Sequence, residues 1–435
     1  IRACKQMGIE TVAVYGESDR DSLHVQLADE SVCVGGNKAA DSYLNMENII
    51  SAAVATKAEA IHPGFGFLSE NEKFSSLCQS CGIRFIGPSG TVISKMGNKS
   101  KAREIMIAAG VPVVPGSNGA LKDAAAGMEL AKEIGYPVLI KASAGGGGRG
   151  MRVAYNVNEF TVAYETAKTE AKNAFGDDTM YLEKYVVNPK HIEFQVLCDK
   201  YGTVLHLGER DCSIQRRNQK VIEEAPSMIS SVLREKMADA SLKACQAVGY
   251  ENAGTLEFLV TGEDFYFIEM NTRIQVEHPV TEMITGIDII KEQIKSTSGE
   301  PLSFTQEDIT LNGHSIEVRI NAENPKENFR PAPGKVGLLH VPGGNGVRFD
   351  SFIYTGYTIS PFYDSMMGKL IVHGKTRDEA IRKMIASLDE LVIEGVTCNR
   401  EFALKILENS EYQKGSFDTG FIPKHLESLL DYSHE

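Results

Sequence analysis

The chain has 435 residues, 42% of them hydrophobic and 24% charged, with a net charge of −13. This composition predicts a soluble globular protein of two or three domains, and the acid excess argues against a nucleic-acid or acidic-membrane surface. No apolar run approaches the ~20 residues that span a bilayer, and no secretory signal is present, so neither membrane nor export is expected.

The chain opens at Ile1-Arg-Ala-Cys in what reads as mid-helix, so a first strand and its turn are expected to precede it. Over residues 1–98, short β-runs at Thr11–Tyr15, Glu30–Val34, Ala60–Ile61 and Phe85–Ile86 alternate with helical stretches at Leu44–Thr56 and Asn71–Cys81. This alternation predicts a doubly wound parallel sheet. His62-Pro-Gly-Phe-Gly-Phe-Leu-Ser-Glu70 follows a strand, where such sheets place ligand loops. A loop that needs Pro and Gly only for its turns explains it equally well. The eight cysteines are scattered, which suits a reducing cytosol. Cys78-Gln-Ser-Cys81 has no second pair at zinc spacing and reads as structural.

Lys99 begins a helix that Gly110 ends, and Val113-Val-Pro-Gly116 opens a new unit. There Ala120–Ile134 is helical, Tyr136–Ala142 is a strand carrying Lys141, and Ala144-Gly-Gly-Gly-Gly-Arg-Gly150 follows. Met151–Ala154 reads as strand, with a helix from Val157 to Asn173. Gly145, Gly147 and Gly150 formally match GxGxxG, but the dinucleotide fingerprint needs a helix directly after the loop, and no Gly-Lys-[Ser/Thr] ends the run. The alternative is a glycine flap between two strands whose bare N–H groups approach phosphates, with Lys141 and Lys99 adding point charges. Either lysine alone is more often a solvated surface group.

Tyr181–Tyr185, Ile192–Cys198 and Val204–Glu209 are strand candidates, and Ser230–Val248 is an amphipathic helix. Thr255–Val260 and Phe265–Met270, split by Thr-Gly-Glu-Asp, predict a hairpin with Glu257 opposite Glu269. Facing carboxylates repel unless a cation lies between them. Glu269, Asn271, Arg273, Gln275 and Glu277 then recur at period two, which on one continuing strand would share a face. A half-exposed strand gives the same alternation. The facing Glu257 favours a metal–phosphate site, because carboxylate and amide oxygens suit Mg²⁺ or Mn²⁺. One helix is predicted over 283–298, a strand with Glu317 and Arg319 over His314–Ala322, and a helix over Asp378–Leu391.

The glycine-rich flap, Glu183-Lys-Tyr and Glu257 … Glu269-Met-Asn271 resemble the ATP-grasp fold. The runs HPGFGFLSEN, IKASAGGGGRGMR, GERDCSIQRRNQKVIEEAP, MNTRIQVEHPVTE and FYDSMMGKL resemble biotin carboxylase, over essentially the whole chain. The resemblance implies an α/β (overall α+β) protein of three parts. These are an N-terminal doubly wound domain over 1–98, an ATP-grasp domain over 99–298 with a lid at about 113–185, and a C-terminal domain over 299–435.

It implies Lys99, Lys141, Gly147, Gly148 and His191 at or beside the ATP phosphates, with Gln215 and Asn218 among the nucleotide-binding residues. Glu183, Lys184, Tyr185 and Val186 would hold the adenine, and Glu257, Glu269 and Asn271 the metal, with two ions expected. Lys220, Arg273, Gln275, Val276 and Glu277 would surround bicarbonate, and Arg319 would lie at the biotin ureido oxygen. On sequence alone His191 could equally be a satisfied structural histidine.

Two residues depart from the family pattern. Asn218 stands where a histidine is usual and can still donate to a phosphate, so altered nucleotide affinity rather than lost activity is expected. Ala144 replaces the first flap glycine and restricts one flap torsion, which matters less. The implied reaction is MgATP-dependent carboxylation of carrier-bound biotin by bicarbonate. The implied partners are a biotin carboxyl carrier protein, carboxyltransferase subunits and a second copy of the chain, in the cytoplasm. Bacterial acetyl-CoA carboxylase is the first choice of system; a propionyl-CoA or pyruvate carboxylase, or a different ATP-grasp ligase, is the alternative.

Overall fold

The computed structural model describes residues 1–142 and 150–432. Ala144, Gly147 and Gly148 of the glycine run therefore lie outside the described residues.

The N-terminal region alternates as expected. Strands β1 (Val12–Gly16) and β2 (Glu30–Gly35) pair in parallel, as do β3 (Ala60–Ile61) and β4 (Arg84–Phe85), in two separate ladders. Helices Met46–Ala55 and Glu72–Ser80 follow β2 and β3. Each begins at an asparagine, Asn45 or Asn71, whose side chain accepts a backbone N–H of the first turn. Their buried Ile49, Ile50, Phe74 and Cys78 form one apolar cluster with Val34 and Ile83. All eight cysteines are free thiols.

A small antiparallel sheet follows, in the order β6-β5-β7, from β5 (Val138–Ala142), β6 (Met151–Ala154) and β7 (Met180–Lys184). The glycine run joins β5 to β6, and Gly150 O accepts from Ala142 N at 2.9 Å. A strand after the glycines, where a dinucleotide loop needs a helix, agrees with the flap reading. Helices Ala124–Ile134 and Val157–Phe175 cover this sheet through Ala131, Phe160 and Ala167.

The large sheet contains β8 (Lys190–Cys198), β9 (Val204–Arg216), β10 (Gln219–Ala225), β11 (Asn252–Thr261), β12 (Asp264–Asn271) and β13 (His314–Asn321). Strands Met366–Gly374 and Val347–Ser351 complete it, and the order is β12-β11-β8-β9-β10-β13 followed by these two, every pair antiparallel. The hairpin turns through Gly262 at φ 59, a left-handed conformation that costs glycine little. Glu257 pairs with Glu269 in register, as predicted from the turn position. One face buries Phe194, Leu256 and Phe258 against helix Ser231–Val248; the far end buries Ile316, Val318 and Leu370 against helix Arg377–Glu390. Because β13 hydrogen-bonds to β10, Arg319 is carried beside the strand that bears Lys220.

Two expectations need correction. The period-two row does not continue as a strand: β12 ends at Asn271, and 272–277 form bends and a turn before helix His278–Thr285. The single helix expected over 283–298 is two, His278–Thr285 and Ile289–Ser298. Gly286 ends the first at φ 73, and Asp288 caps the second by accepting from Lys291 N. Among the described residues no helix is long and apolar enough to cross a membrane.

Candidate active site

Register alone places charge on charge. Glu269 faces Glu257, Glu257 faces Glu193 on β8, and Glu193 faces Arg210 on β9. Glu193 and Arg210 are fully buried and Glu257 is 7% exposed, so each charge needs a partner. Arg210 Nε donates to Glu193 Oε1 at 2.6 Å, and its other nitrogens reach Gln195 Oε1, Thr255 Oγ1 and Thr281 Oγ1. Lys220 Nζ, on β10, donates to Glu193 Oε2 at 2.6 Å, Glu257 Oε1 at 3.0 Å and Glu277 Oε1 at 2.6 Å. His191 Nε2 lies 3.0 Å from Glu257 Oε2.

The two hairpin carboxylates are thereby made unlike. Burial pushes Glu257 up, but Lys220 and then His191 outweigh it, and the carboxyl sits well below its usual range. Glu269 is raised instead, by burial and by the charge of Glu257, with Lys99 Nζ 4.0 Å away. Asn271 Nδ2 and Gln275 Nε2 both donate to Glu257 Oε1, at 2.9 and 3.1 Å. This set of hard oxygen donors, with one carboxylate strained by its neighbour's charge, fits a divalent cation such as Mg²⁺ or Mn²⁺.

The bend after β12 gathers the row that a strand would have lined up. Arg273 Nε donates to Glu70 Oε2 at 2.9 Å, and its terminal nitrogens reach Gln275 Oε1 at 2.9 Å and Asn271 Oδ1 at 3.2 Å. Glu70 Oε1 also accepts from Thr272 N at 3.0 Å, so the last residue of the His62–Glu70 loop anchors the bend. Glu277 occupies the N-cap position of helix His278–Thr285, where its charge meets the helix dipole. Arg319 donates to Glu277 Oε2 at 2.9 Å and to Glu223 Oε1 at 2.5 Å. Burial opposes its ionisation, yet Lys220, Arg319 and Arg210 hold Glu277 well below the carboxylate range. Burial raises Glu223 to about 7, against the pull of Arg319.

A second group lies on the small sheet. Lys141 on β5 ion-pairs with Glu183 on β7. Lys184 Nζ donates to the carbonyls of Gly135 and Tyr136, at 2.7 and 3.0 Å. Tyr185 N reaches Pro137 O at 3.0 Å, and Val186 is half-buried. The segment after Gly110 ties this group to the hairpin, because Val113 bridges to Phe267 and Gly116 to Glu183. Gln215 is buried, donating to Cys212 O at 2.9 Å. Asn218 stands apart, exposed at the tip of the β9–β10 hairpin, with φ 64 beside Arg217 at φ 49.

The structure thus gathers Lys220, His191, Glu257, Glu269, Asn271, Arg273, Gln275, Glu277 and Arg319 in one contact network. Sequence reading assigned no role to Glu193, Arg210 or Glu223, and met Glu70 only as the end of a candidate ligand loop. One signal was available: His191, Glu193 and Gln195 alternate with Ile192, Phe194 and Val196. Polar residues at period two in so apolar a strand place Glu193 on the same face as His191, but do not separate a buried face from a solvated one.

A large antiparallel sheet with a carboxylate hairpin stands beside a lysine-bearing smaller sheet, the arrangement expected from the ATP-grasp resemblance. Residues 98–305 match the family model of the carbamoyl-phosphate synthase L chain ATP binding domain. Residues 1–93 and 317–424 match those of the biotin carboxylase N-terminal and C-terminal domains. The chain is 55% identical over 425 residues to biotin carboxylase 1 of Bacillus subtilis, covering 97% of this chain and 94% of that protein. It is 51% identical to a pyruvate carboxylase subunit of Methanothermobacter thermautotrophicus, covering 98% and 87%. A crystal structure of the Hydrogenobacter thermophilus 2-oxoglutarate carboxylase biotin carboxylase domain dimer, with MgADP, ADP and bicarbonate, superposes with a TM-score of 0.90. That likeness is at 51% identity and covers 99% of this chain and 95% of the other. The chain belongs to the biotin carboxylase family.

Proposed function

We infer that this chain uses MgATP and bicarbonate to carboxylate N1 of biotin held on a biotin carboxyl carrier protein, releasing ADP and phosphate. The observation that carries this reading is the Lys220–Glu277–Arg319 contact beside the Glu257/Glu269 pair. It supports an anion site with a base next to a metal–phosphate site. Mg²⁺ held by Glu257, Glu269 and Asn271 would neutralise the triphosphate during transfer. Lys99, Lys141 and His191, with Gly147 and Gly148, are assigned to the phosphates; Glu183 to Val186 are assigned to the adenine.

Bicarbonate is a poor electrophile, and its phosphorylation by ATP gives carboxyphosphate and ADP. Lys220, Arg273, Gln275 and the Val276 backbone hold the anion, and Glu277 takes its proton. In the free site Glu277 is a weak base, because Lys220 and Arg319 hold it ionised. Those cations also attract the incoming anion, so binding loosens their hold on Glu277 and raises its basicity. Carboxyphosphate then gives CO₂ and phosphate; phosphate takes the N1 proton and N1 attacks CO₂. Arg319, always charged, stabilises the ureido oxyanion.

We divide the chain near 98 and 299, and assign it a cytoplasmic homodimer that works with a separate carboxyltransferase. Acetyl-CoA carboxylation for fatty acid synthesis is the first choice of system, and the Bacillus relative, a biotin carboxylase matched over nearly its full length, is compatible with it. The Methanothermobacter and Hydrogenobacter proteins keep a keto-acid carboxylase as the second reading. Phosphate release from ATP tests the reaction. It should require bicarbonate and be stimulated by free biotin; release independent of bicarbonate, or no release with both present, rejects the assignment.

A further inference from the structure

Lys369 of the run FYDSMMGKL has no place in the mechanism above. It is 7% exposed, on the strand Met366–Gly374, directly opposite Arg319 of β13. Opposed residues of an antiparallel pair project to the same face, here the face covered by helix His278–Thr285. Glu317, two residues before Arg319, shares that face and is fully buried. On the other side of Lys369 stands Asp350, which Arg348 already engages.

A buried ammonium beside a buried carboxylate normally pairs with it, since either alone loses its hydration without return. Here they do not pair. Lys369 Nζ donates to the backbone carbonyl of Val276, and among the described residues no carboxylate lies within ion-pair distance of it. Both oxygens of Glu317 are left buried without a hydrogen-bond partner. Burial accordingly holds the Glu317 carboxyl well above its usual range, with Lys369 the largest opposing influence.

We propose that Lys369 is a positioning residue that fixes the bend 272–277 through the carbonyl of Val276, and so sets Glu277 and the bicarbonate-binding groups. The fold forgoes a buried ion pair, leaving a costly unpaired acid at Glu317, to keep this one contact. Unpaired buried groups of this kind are rare and concentrate where geometry serves function. Val276 immediately precedes Glu277, so its carbonyl fixes the peptide plane from which the base departs. The ammonium acts on the bend and not on ATP, so its loss falls on bicarbonate. This inference rests on the biotin carboxylase reading.

Bicarbonate and ATP KM values, measured by biotin-dependent phosphate release, test it in wild type, Lys369→Met, Lys369→Arg and Glu317→Gln. Lys369→Met is expected to raise the bicarbonate KM by about tenfold or more, the usual worth of a hydrogen bond from a charged donor. The ATP KM stays unchanged, and Lys369→Arg falls between wild type and Met. Glu317→Gln leaves the bicarbonate KM unchanged, since the acid makes no contact that the bend needs. Equal bicarbonate KM values in wild type and Lys369→Met, or a parallel rise in both KM values, overturn the proposal. A rise in Glu317→Gln as large as in Lys369→Met also overturns it, because an ion pair would then be what matters. If Lys369→Met does not fold, Lys369→Arg decides by the same split of KM values. An inactive wild type contradicts the assigned reaction instead, which separates the two failures.

Discussion

Replacing Lys220 with methionine removes the cation that Glu193, Glu257 and Glu277 share, while keeping a side chain of similar length. Each carboxylate retains a second positive or polarisable neighbour: Arg210 for Glu193, His191 for Glu257 and Arg319 for Glu277. The cost is therefore that of breaking one buried ion pair, about 3–5 kcal/mol, and not three times as much. It also depends on pH with a definite sign. Glu257 and Glu277 are depressed in the folded protein, so their contribution is present above the unfolded carboxylate value of about 4.3 and is lost as pH falls. Lys220 is held well above its ordinary value and stays charged across this window, adding no slope of its own. The stability gap between wild type and Lys220→Met should be fully present at pH 7.5 and narrower at about pH 3.5, below the unfolded carboxylate value. Urea unfolding followed by circular dichroism at both pH values measures it. A gap under about 1 kcal/mol at pH 7.5, the scale of an exposed pair, or a larger gap at acid pH, would refute the reasoning.

Glu269→Gln should abolish ATP turnover with the fold intact, and metal-free thermal stability should be unchanged or slightly raised, since a repelled carboxylate is removed. Near-wild-type turnover in saturating Mg²⁺ counts against the metal assignment. Glu277→Gln should depress bicarbonate-dependent ATP cleavage and carboxybiotin formation together, by about 10²–10⁴-fold. Arg319→Ala should cut carboxybiotin formation by roughly 10²–10³-fold and ATP cleavage by less. The two side chains touch, so each variant disturbs the other, and the ratio of the two products is what distinguishes their roles. Asn218→His should change the ATP KM while costing less than about 1 kcal/mol, because histidine also tolerates the left-handed backbone at this turn. An unchanged ATP KM removes Asn218 from the nucleotide site.

The hairpin was legible because its turn residues and alternation fix register, and register alone opposes Glu257 to Glu269. The bend was not. Asn271 to Glu277 keep a period of two in sequence, but Glu70 draws Thr272 and Arg273 out of the strand path from some 200 positions away. Local periodicity carries no information about a partner so distant. Arg319 and Glu277, read as parts of different steps, meet because β13 adds to β10, a non-local pairing that no spacing reveals. Arg210 and Glu193 escaped for a related reason: a charged residue within a strand looks solvated until the sheet on both sides is known.

Oxygen-18-labelled bicarbonate tests the central claim most directly, because carboxyphosphate formation passes one bicarbonate oxygen to phosphate. With ATP, Mg²⁺ and free biotin, the phosphate released should carry the label in step with carboxybiotin formed. Unlabelled phosphate, with oxygen supplied by water, would contradict it.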